Sequence, residues 1–401
     1  MNRLISFVMS LYMAVMSIFG VTVTPSDLKA GEMYQGTATQ EQLELFTEIY
    51  ESEMAYLASM QLPNGALPMT CAKNGELTVN PYFADFAALA LLDDAHKYAD
   101  IVVKYMDWHF AHLNTKSEDF NRLDGTIYDY KVTMKNGEVV SEKKSNPGNA
   151  DSYDTTDSYA ATFLTVVNKY FYETGDSDYL LAHAEDLYRI AKVMFATYQN
   201  GLTYAKPNHL IKYLMDNCEV YEGAIAAQRI FEELVLRGKT EYTAMRDDCD
   251  EMSFTVKDNI NNKLWNYTGN HYKTALIAFI DTPRKFFSWD IYYPQATSQL
   301  FPIICDVIDP SCDRAKHLYE SFSKSFHWEA FDYPDDFYWG ANVQAAAIMN
   351  DLDSVVEYME SYKPLTEKHS WPLYNMDIAR VSMAAKIMID RNTAGEELPC
   401  H

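Results

Sequence analysis

The chain has 401 residues and a formal charge of −24, from 33 Lys and Arg against 57 Asp and Glu. Hydrophobic residues make up 48% and charged residues 22%, which supplies a large core and excludes wholesale disorder. A chain this acidic repels phosphate backbones, which argues against nucleic acid as a partner; highly anionic polymers are disfavoured, and a neutral or cationic ligand fits better.

In chain order, Arg3 comes first, ahead of a mostly apolar run from Leu4 to Val23. This is an export signal. No small-x-small cleavage site follows, and the run is nearly long enough to span a bilayer. Residues 1–25 therefore read as a signal peptide or an uncleaved membrane anchor. Residues 26–401 read as one domain outside the cytoplasm.

Beyond this segment, apolar residues recur at three- and four-residue spacing through most of the chain. Twelve helices are expected, beginning near Gln40, Pro81, His96, Thr155, Asp178, Tyr213, Thr240, Asp290, Cys312, Phe337, Ser354 and Tyr374. Their connections alternate in length. "LDDAHK", "ETGDSD", "LRGKTE", "CDVIDPSC" and "NDLDS" are short and polar, so each joins antiparallel neighbours. The intervening connections are longer. One carries Asn136-Gly137, a hairpin turn between alternating segments, and a second hairpin is expected within 263–288. The six Cys include no C-x-x-C pair, which speaks against a zinc ribbon. Cys305 and Cys312 flank "DVIDPS" and form the expected local disulfide. Asn266 heads "NYT", which would accept a glycan in a eukaryotic host.

Helical hairpins joined in this way gather their long loops at one end. Six of them can close into an all-α (α/α)6 toroid, with β-hairpin insertions in the long loops at one end. Helices that follow long loops should form the inner ring. Their openings, "NPYFADFAALALL", "YDTTDSYAATFL", "LMDNCEVYEGAIAA", "WDIYYPQATSQLF", "DDFYWGANVQAAA" and "YNMDIARVSMAA", each carry acid and aromatic residues, then small ones. An elongated helical solenoid is the competing arrangement, weakened by the lack of a fixed sequence period.

With those openings in view, the chain resembles the six-hairpin glycosidase-like superfamily over residues 38–390. "DTTDSYAA" resembles the Asp-rich inner-helix motif of glycoside hydrolase family 8, with Thr156 where that motif has Gly. The resemblance implies carbohydrate cleavage in the mouth of the ring.

That chemistry needs one carboxylic acid to protonate the leaving oxygen and a second carboxylate to activate water or attack the sugar. Two pairs have suitable spacing: Asp154 with Asp157, and Asp216 with Glu219, followed by Glu222. Helix capping explains either pair equally simply, and a cap leaves one oxygen free. Glu219, one turn deeper than Asp216, is the expected proton donor, and Asp154 or Asp157 the base. Acids on different helices leave the roughly 6.5–9.5 Å that inversion requires, whereas one helical turn gives only about 5 Å. Asn217 adds an amide suited to a ligand contact.

Tyr153 and Tyr159 flank the first pair as substrate contacts, and Trp289, Tyr292 and Trp339 are the expected stacking platforms for sugar rings. Asp290 reads as structural or sugar-binding, Asp335 and Asp336 as a solvated cap, and Asp377 as the i, i+3 partner of Arg380. Lys206 would orient ligand or salt-bridge an acid. His109 and His112 have metal-compatible spacing but fall on an outer helix, where core or surface is the better reading. No metal or cofactor is expected. A polysaccharide lyase on the same ring and a non-catalytic glycan-binding or assembly protein are the alternatives.

Overall fold

A computed structural model of the chain describes residues 25–331, 337, 339–369 and 373–393. The expected export segment, the Asp335–Asp336 cap and Tyr338 lie outside the described residues. The helices are α1 (Gln40–Ser59), α2 (Pro81–Leu91), α3 (Ala95–Ala111), α4 (Asp157–Thr174), α5 (Ser177–Ala182), α6 (Ala184–Phe195) and α7 (Leu214–Leu236). They continue with α8 (Thr243–Asn259), α9 (Phe301–Ile304), α10 (Asp313–Ser325), α11 (Trp339–Met349), α12 (Leu352–Tyr362) and α13 (Asn375–Thr393).

These close a ring. α2, α4, α7, the segment 292–304, α11 and α13 pack each on the next, and α13 returns to α2. Behind them lie α3, α5–α6, α8, α10 and α12, while α1 backs α13 and so pairs the first helix with the last. The fold is the (α/α)6 toroid that the alternating loop lengths imply.

Burial separates the two layers. α2 is buried at all but one of its eleven positions, as a helix enclosed on every side must be. α10 instead buries one stripe, Arg314, Ala315, Leu318, Tyr319 and Phe322, and leaves its other face to water. Small residues allow the inner helices to touch. A Cβ on Gly223 of α7 would lie 2.5 Å from Cα of Ala161 on α4, and one on Gly340 of α11 would lie 2.5 Å from the Asp377 carbonyl oxygen on α13.

The long connections carry the sheets. Strands β1 (Gly75–Val79), β2 (Tyr130–Lys135) and β3 (Glu138–Lys144) form one antiparallel sheet. Its β2–β3 turn places Asn136 and Gly137 at φ of 54° and 84°, the left-handed backbone that Asn-Gly tolerates. β4 (Tyr198–Gln199) pairs with β5 (Leu202–Thr203), and β7 (Trp265–Asn266) with β8 (His271–Tyr272). β6 (Ile211–Tyr213), β9 (Ala275–Ile277) and β10 (Thr282–Pro283) form a second three-stranded sheet. Each sheet precedes an inner helix, so all gather at the end where those helices begin.

Four expectations are corrected. The fifth expected helix is two pieces, α5 and α6, broken at His183. The eighth is irregular: a wide turn at Tyr292–Ala296 with Tyr293 extended (φ −114°, ψ 136°), a tight turn at Thr297–Leu300, then α9. Pro294 and Pro302 each lack the amide hydrogen a regular helix uses. Cys305 and Cys312 do not pair: both are buried free thiols. Cys305 bonds Glu222, and the Cys312 sulfur caps α10 by accepting the Ala315 N–H at 3.4 Å. Asp377 and Arg380 form no ion pair. Asp377 accepts the Gly340 N–H, while Arg380 donates to Gln344 at 2.6 Å and lies 4.2 Å from the Phe86 ring centre.

Replacing Gly223 by Ala should cost about 1–3 kcal/mol of stability, because neither helix has room to yield. A thermal melt equal to wild type would refute this close contact between α4 and α7.

Candidate active site

The inner-helix starts surround a cavity of about 610 Å³ at the mouth of the ring. Its wall includes Asp154, Asp216 and Glu219, drawn from two of the predicted acid pairs. Around them stand Asn80, Tyr82, Phe83, Tyr159, Lys206, His209, Tyr213, Arg284, Tyr293 and Phe337.

α7 carries two of the acids. It starts directly after β6, and its first amide N–H, that of Leu214, bonds the Thr274 carbonyl. Asn217 holds this start in place. Its Oδ1 accepts the Thr203 N–H at 2.8 Å, and its Nδ2 donates to the Thr203 and Tyr213 carbonyls at 3.0 and 2.8 Å. The fully buried Asn217 amide is thus a structural clip, not the ligand contact read from the sequence. Asp216 occupies the first turn and Glu219 the second, with 8% and 4% of their surface exposed.

The Asp154–Asp157 pair is divided. α4 begins at Asp157, with Thr156 ahead of it, so Asp154 is not a cap. Asp154 sits in the preceding loop, exposed and on the cavity wall. Asp157 is fully buried, accepts the Ser158 N–H at 3.0 Å, and is not among the described cavity residues. Lys206 pins the Asp154 loop by donating to the Ala150 and Tyr153 carbonyls at 2.7 and 2.9 Å. Lys206 therefore holds backbone rather than an acid. Thr156 adds a second tie, its N–H bonding the Ala205 carbonyl at 2.7 Å.

Burial sets the protonation of these acids, because desolvation disfavours the charged form. The Glu219 carboxyl is pushed up to about 8 by burial, although Tyr82 donates to it at 2.5 Å and Arg380 favours its anion. Asp216 is held well above the carboxylate range, by burial and then by the charges of Asp157, Glu219 and Asp154. Asp157 rises to about 6, mainly by burial. Asp129, unread as a site residue from sequence, rises to about 7 through burial while accepting from the Tyr159 hydroxyl at 3.0 Å. Tyr159 in turn accepts from Asn80 at 2.8 Å and stacks on Tyr82, with ring centres 6.0 Å apart.

The expected aromatic platforms fall elsewhere. Tyr153 is buried beside the cavity, its hydroxyl accepting from Asn121 at 2.8 Å. Tyr292 packs edge-on against Phe326 and its hydroxyl accepts from Asn342 at 2.8 Å. Trp289 packs on Phe287, and Trp339 on Phe331. Asp290 is exposed and bonds Ser288. None of these five is among the described residues that line the cavity. At the start of the irregular segment 292–304, Tyr292 is buried against Phe326, and Tyr293 takes the place on the cavity wall expected of Tyr292. His109 is buried flat against Phe163 at 3.5 Å, and His112 lies 3.2 Å from Glu142.

Asn80, His209 and Arg284 escaped the sequence reading because they lie in long loops without helical spacing. The Asn80 cap directly before Pro81 was the one available signal, since its side chain accepts the Phe83 N–H.

The raised acids tie stability to pH. A carboxyl with a raised folded-state value binds its proton more tightly in the folded chain, so stability falls as pH rises from the unfolded value to the folded one. Stability should therefore fall between pH 7 and 8, through Glu219, Asp216 and the buried Asp85, which is also pushed up to about 8. Glu219→Gln should flatten this decline; chemical denaturation across that range measures it, and an unchanged slope refutes the burial of a proton on Glu219.

No protein-family model and no curated protein sequence matches the chain. Solved structures do. A structure titled "Glycosidase Wild Type" superposes with a TM-score of 0.58 at 8% identity, over 88% of this chain and 99% of its own. A β-1,3-1,4-glucanase from Paenibacillus sp. X4 gives 0.56 at 10% identity, over 91% and 99%. A GH76 α-mannanase from Bacteroides thetaiotaomicron gives 0.53 at 8% identity, over 88% and 97%. The chain thus has the fold of the six-hairpin glycosidases over most of its length.

Proposed function

We propose that the protein is an exported glycoside hydrolase that cleaves an oligo- or polysaccharide with inversion, using Glu219 as acid and Asp154 as base. One observation carries the reading: two carboxyl groups of opposite environment face one cavity from different inner-helix starts. Glu219 is buried and keeps its proton to about pH 8, while Asp154 is open to solvent. Such a division separates acid from base at one pH. The names of solved structures with this fold, a glucanase and a mannanase among them, fit saccharide chemistry in the ring mouth. Export rests on the apolar run from Leu4 to Val23.

In this mechanism Glu219 gives its proton to the glycosidic oxygen as the bond to the anomeric carbon breaks. Asp154 takes a proton from a water that adds to the same carbon from the opposite face. The acid ends ionised and the base protonated, and solvent exchange restores both. Mounting on separate elements favours the wider carboxylate spacing of inverting enzymes, roughly 6.5–9.5 Å. Asp154 suits the base better than Asp157, which is fully buried off the cavity wall. Asp216, itself held well above the carboxylate range by burial and then by the charges of Asp157, Glu219 and Asp154, is the third acid on this wall.

Glu219→Gln should lower kcat by about 10²–10⁴-fold with little change in substrate affinity. NMR of the first-formed product should show the inverted anomer; initial release of the retained anomer contradicts the assignment. The alkaline limb of the rate profile should lie near pH 8. Tyr82→Phe removes a donor that favours the Glu219 anion, so that limb should move to higher pH; a shift to lower pH would contradict Glu219 as the acid.

A further inference from the structure

The cavity carries one feature that hydrolysis of a neutral sugar leaves unused. Arg284 lies on its wall, exposed, directly after β10. The sheet sets its place: Tyr213 on β6 is paired with Ala275 on β9, and the Arg284 N–H bonds the Ala275 carbonyl at 3.0 Å from the other side. Arg284 and Tyr213 therefore flank one residue, and a guanidinium nitrogen of Arg284 donates to the Tyr213 hydroxyl. The guanidinium carbon lies 5.8 Å from the Tyr213 ring centre.

The Tyr213 hydroxyl also hydrogen-bonds His209 Nε2, 2.9 Å away. Burial, then Arg284 and Lys206, push His209 below its usual range, so it adds no charge near neutrality. Lys206, the other cation on this wall, spends its ammonium on two backbone carbonyls. Among the described residues no carboxylate lies within ion-pair distance of Arg284. Arg189, Arg237, Arg246 and Arg314 have such a partner; Arg380 and Arg391 bond neutral groups away from the cavity wall. An Arg in a cavity mouth, braced by a Tyr and with donors to spare, is built to grip an oxyanion two-pronged.

We infer that the cavity binds a saccharide carrying an oxyanion, a uronic-acid carboxylate or a phosphate or sulfate ester, seated on Arg284 while a glycosidic bond lies at Glu219 and Asp154. This rests on the glycoside hydrolase reading for the bond cleaved, and adds the substrate class. The acids and Arg284 share one cavity, so charge would orient the saccharide: its anionic group toward the β6–β9–β10 sheet and away from Asp154.

The test compares uronic-acid oligosaccharides, their carboxyl-reduced neutral counterparts, and sulfated and phosphorylated oligosaccharides, on wild type, Arg284→Gln and Arg284→Lys. For whichever anionic class is turned over, the ratio of its kcat/KM to that of the neutral counterpart should fall about 10- to 100-fold in Arg284→Gln. Arg284→Lys should recover part of it, and added salt should narrow the wild-type preference. The active class identifies carboxylate or ester as the source of the oxyanion. A ratio unchanged by Arg284→Gln, or cleavage of neutral saccharides alone, overturns the oxyanion site and leaves the hydrolase reading standing. Unsaturated, ultraviolet-absorbing products that depend on Arg284 support the site and overturn hydrolysis. Calorimetry with the same panel covers an inactive enzyme: binding lost in Arg284→Gln supports the site alone, and no binding by wild type overturns both.

Discussion

Desolvation of carboxyl groups inside a closed ring of helices is the constraint on which the rest depends. Asp85 and Glu219 lie on inner helices α2 and α7 and are both pushed up to about 8, by burial above all. A buried carboxylate is costly unless it is neutralised or well bonded. This fold uses both remedies. Asp85 accepts hydroxyl bonds from Tyr105 and Thr162, each at 2.7 Å, which ties α2 to α3 and to α4. Glu219 accepts from Tyr82, which ties α7 to α2. The bonds that satisfy the acids are thus also bonds between neighbouring helices. They hold only while those helices touch, which is why Gly223 and Ala161 meet backbone to backbone. A looser ring would admit water, and Glu219 would become an ordinary carboxylate with no proton to give at neutral pH.

Asp154 presents the opposite case, and its loop shows how exposure is compatible with precision. The acid itself faces open solvent, but its backbone surroundings do not move freely. Lys206 grips two carbonyls just ahead of the acid, at Ala150 and Tyr153, and Thr156 after it is bonded to Ala205. Further back, the Ser152 carbonyl accepts the Asp129 N–H. A long buried cation is spent on keeping this loop against the segment that follows β5. The same residue type, carboxylate, thereby gains two different working states from helix burial on one side and loop exposure on the other.

The ring was legible in the sequence because loop length is a topological quantity. Short links such as "ETGDSD" force antiparallel neighbours, and long ones leave room for the β2–β3 hairpin, whose Asn136-Gly137 turn is specified locally. Glu219 and Asp216 were legible for a related reason: position within a helix start fixes depth. What escaped depends on how distant segments meet. Arg284 reaches Tyr213 only through the register of β6, β9 and β10, which no spacing encodes. Asn217 was misread because one of its partners, Thr203, comes from β5, fourteen residues earlier, which no helical spacing encodes. Trp289 and Tyr292 were misplaced because Pro294 breaks the periodicity that would have aimed them inward. Asp157 was misread because the helix starts two residues later than the sequence pattern suggests, so the acid turns into the core.

The same burial changes what the net charge means. Counting every acid as ionised gives −24, and that number argues against anionic ligands. The count overstates the negative charge where a ligand would sit. Glu219 holds its proton to about 8, Asp216 is held well above the carboxylate range, and Asp129 and Glu222 rise to about 7. Near neutrality much of that charge is absent from the ring mouth and axis. Arg284 has no acidic partner among the described residues to cancel it. The global field still repels a polyanion at long range, where solvent and salt screen it. At contact distance, within low-dielectric walls, the local pair decides. An acidic protein can therefore carry a site for a single oxyanion, provided that folding neutralises the acids around it.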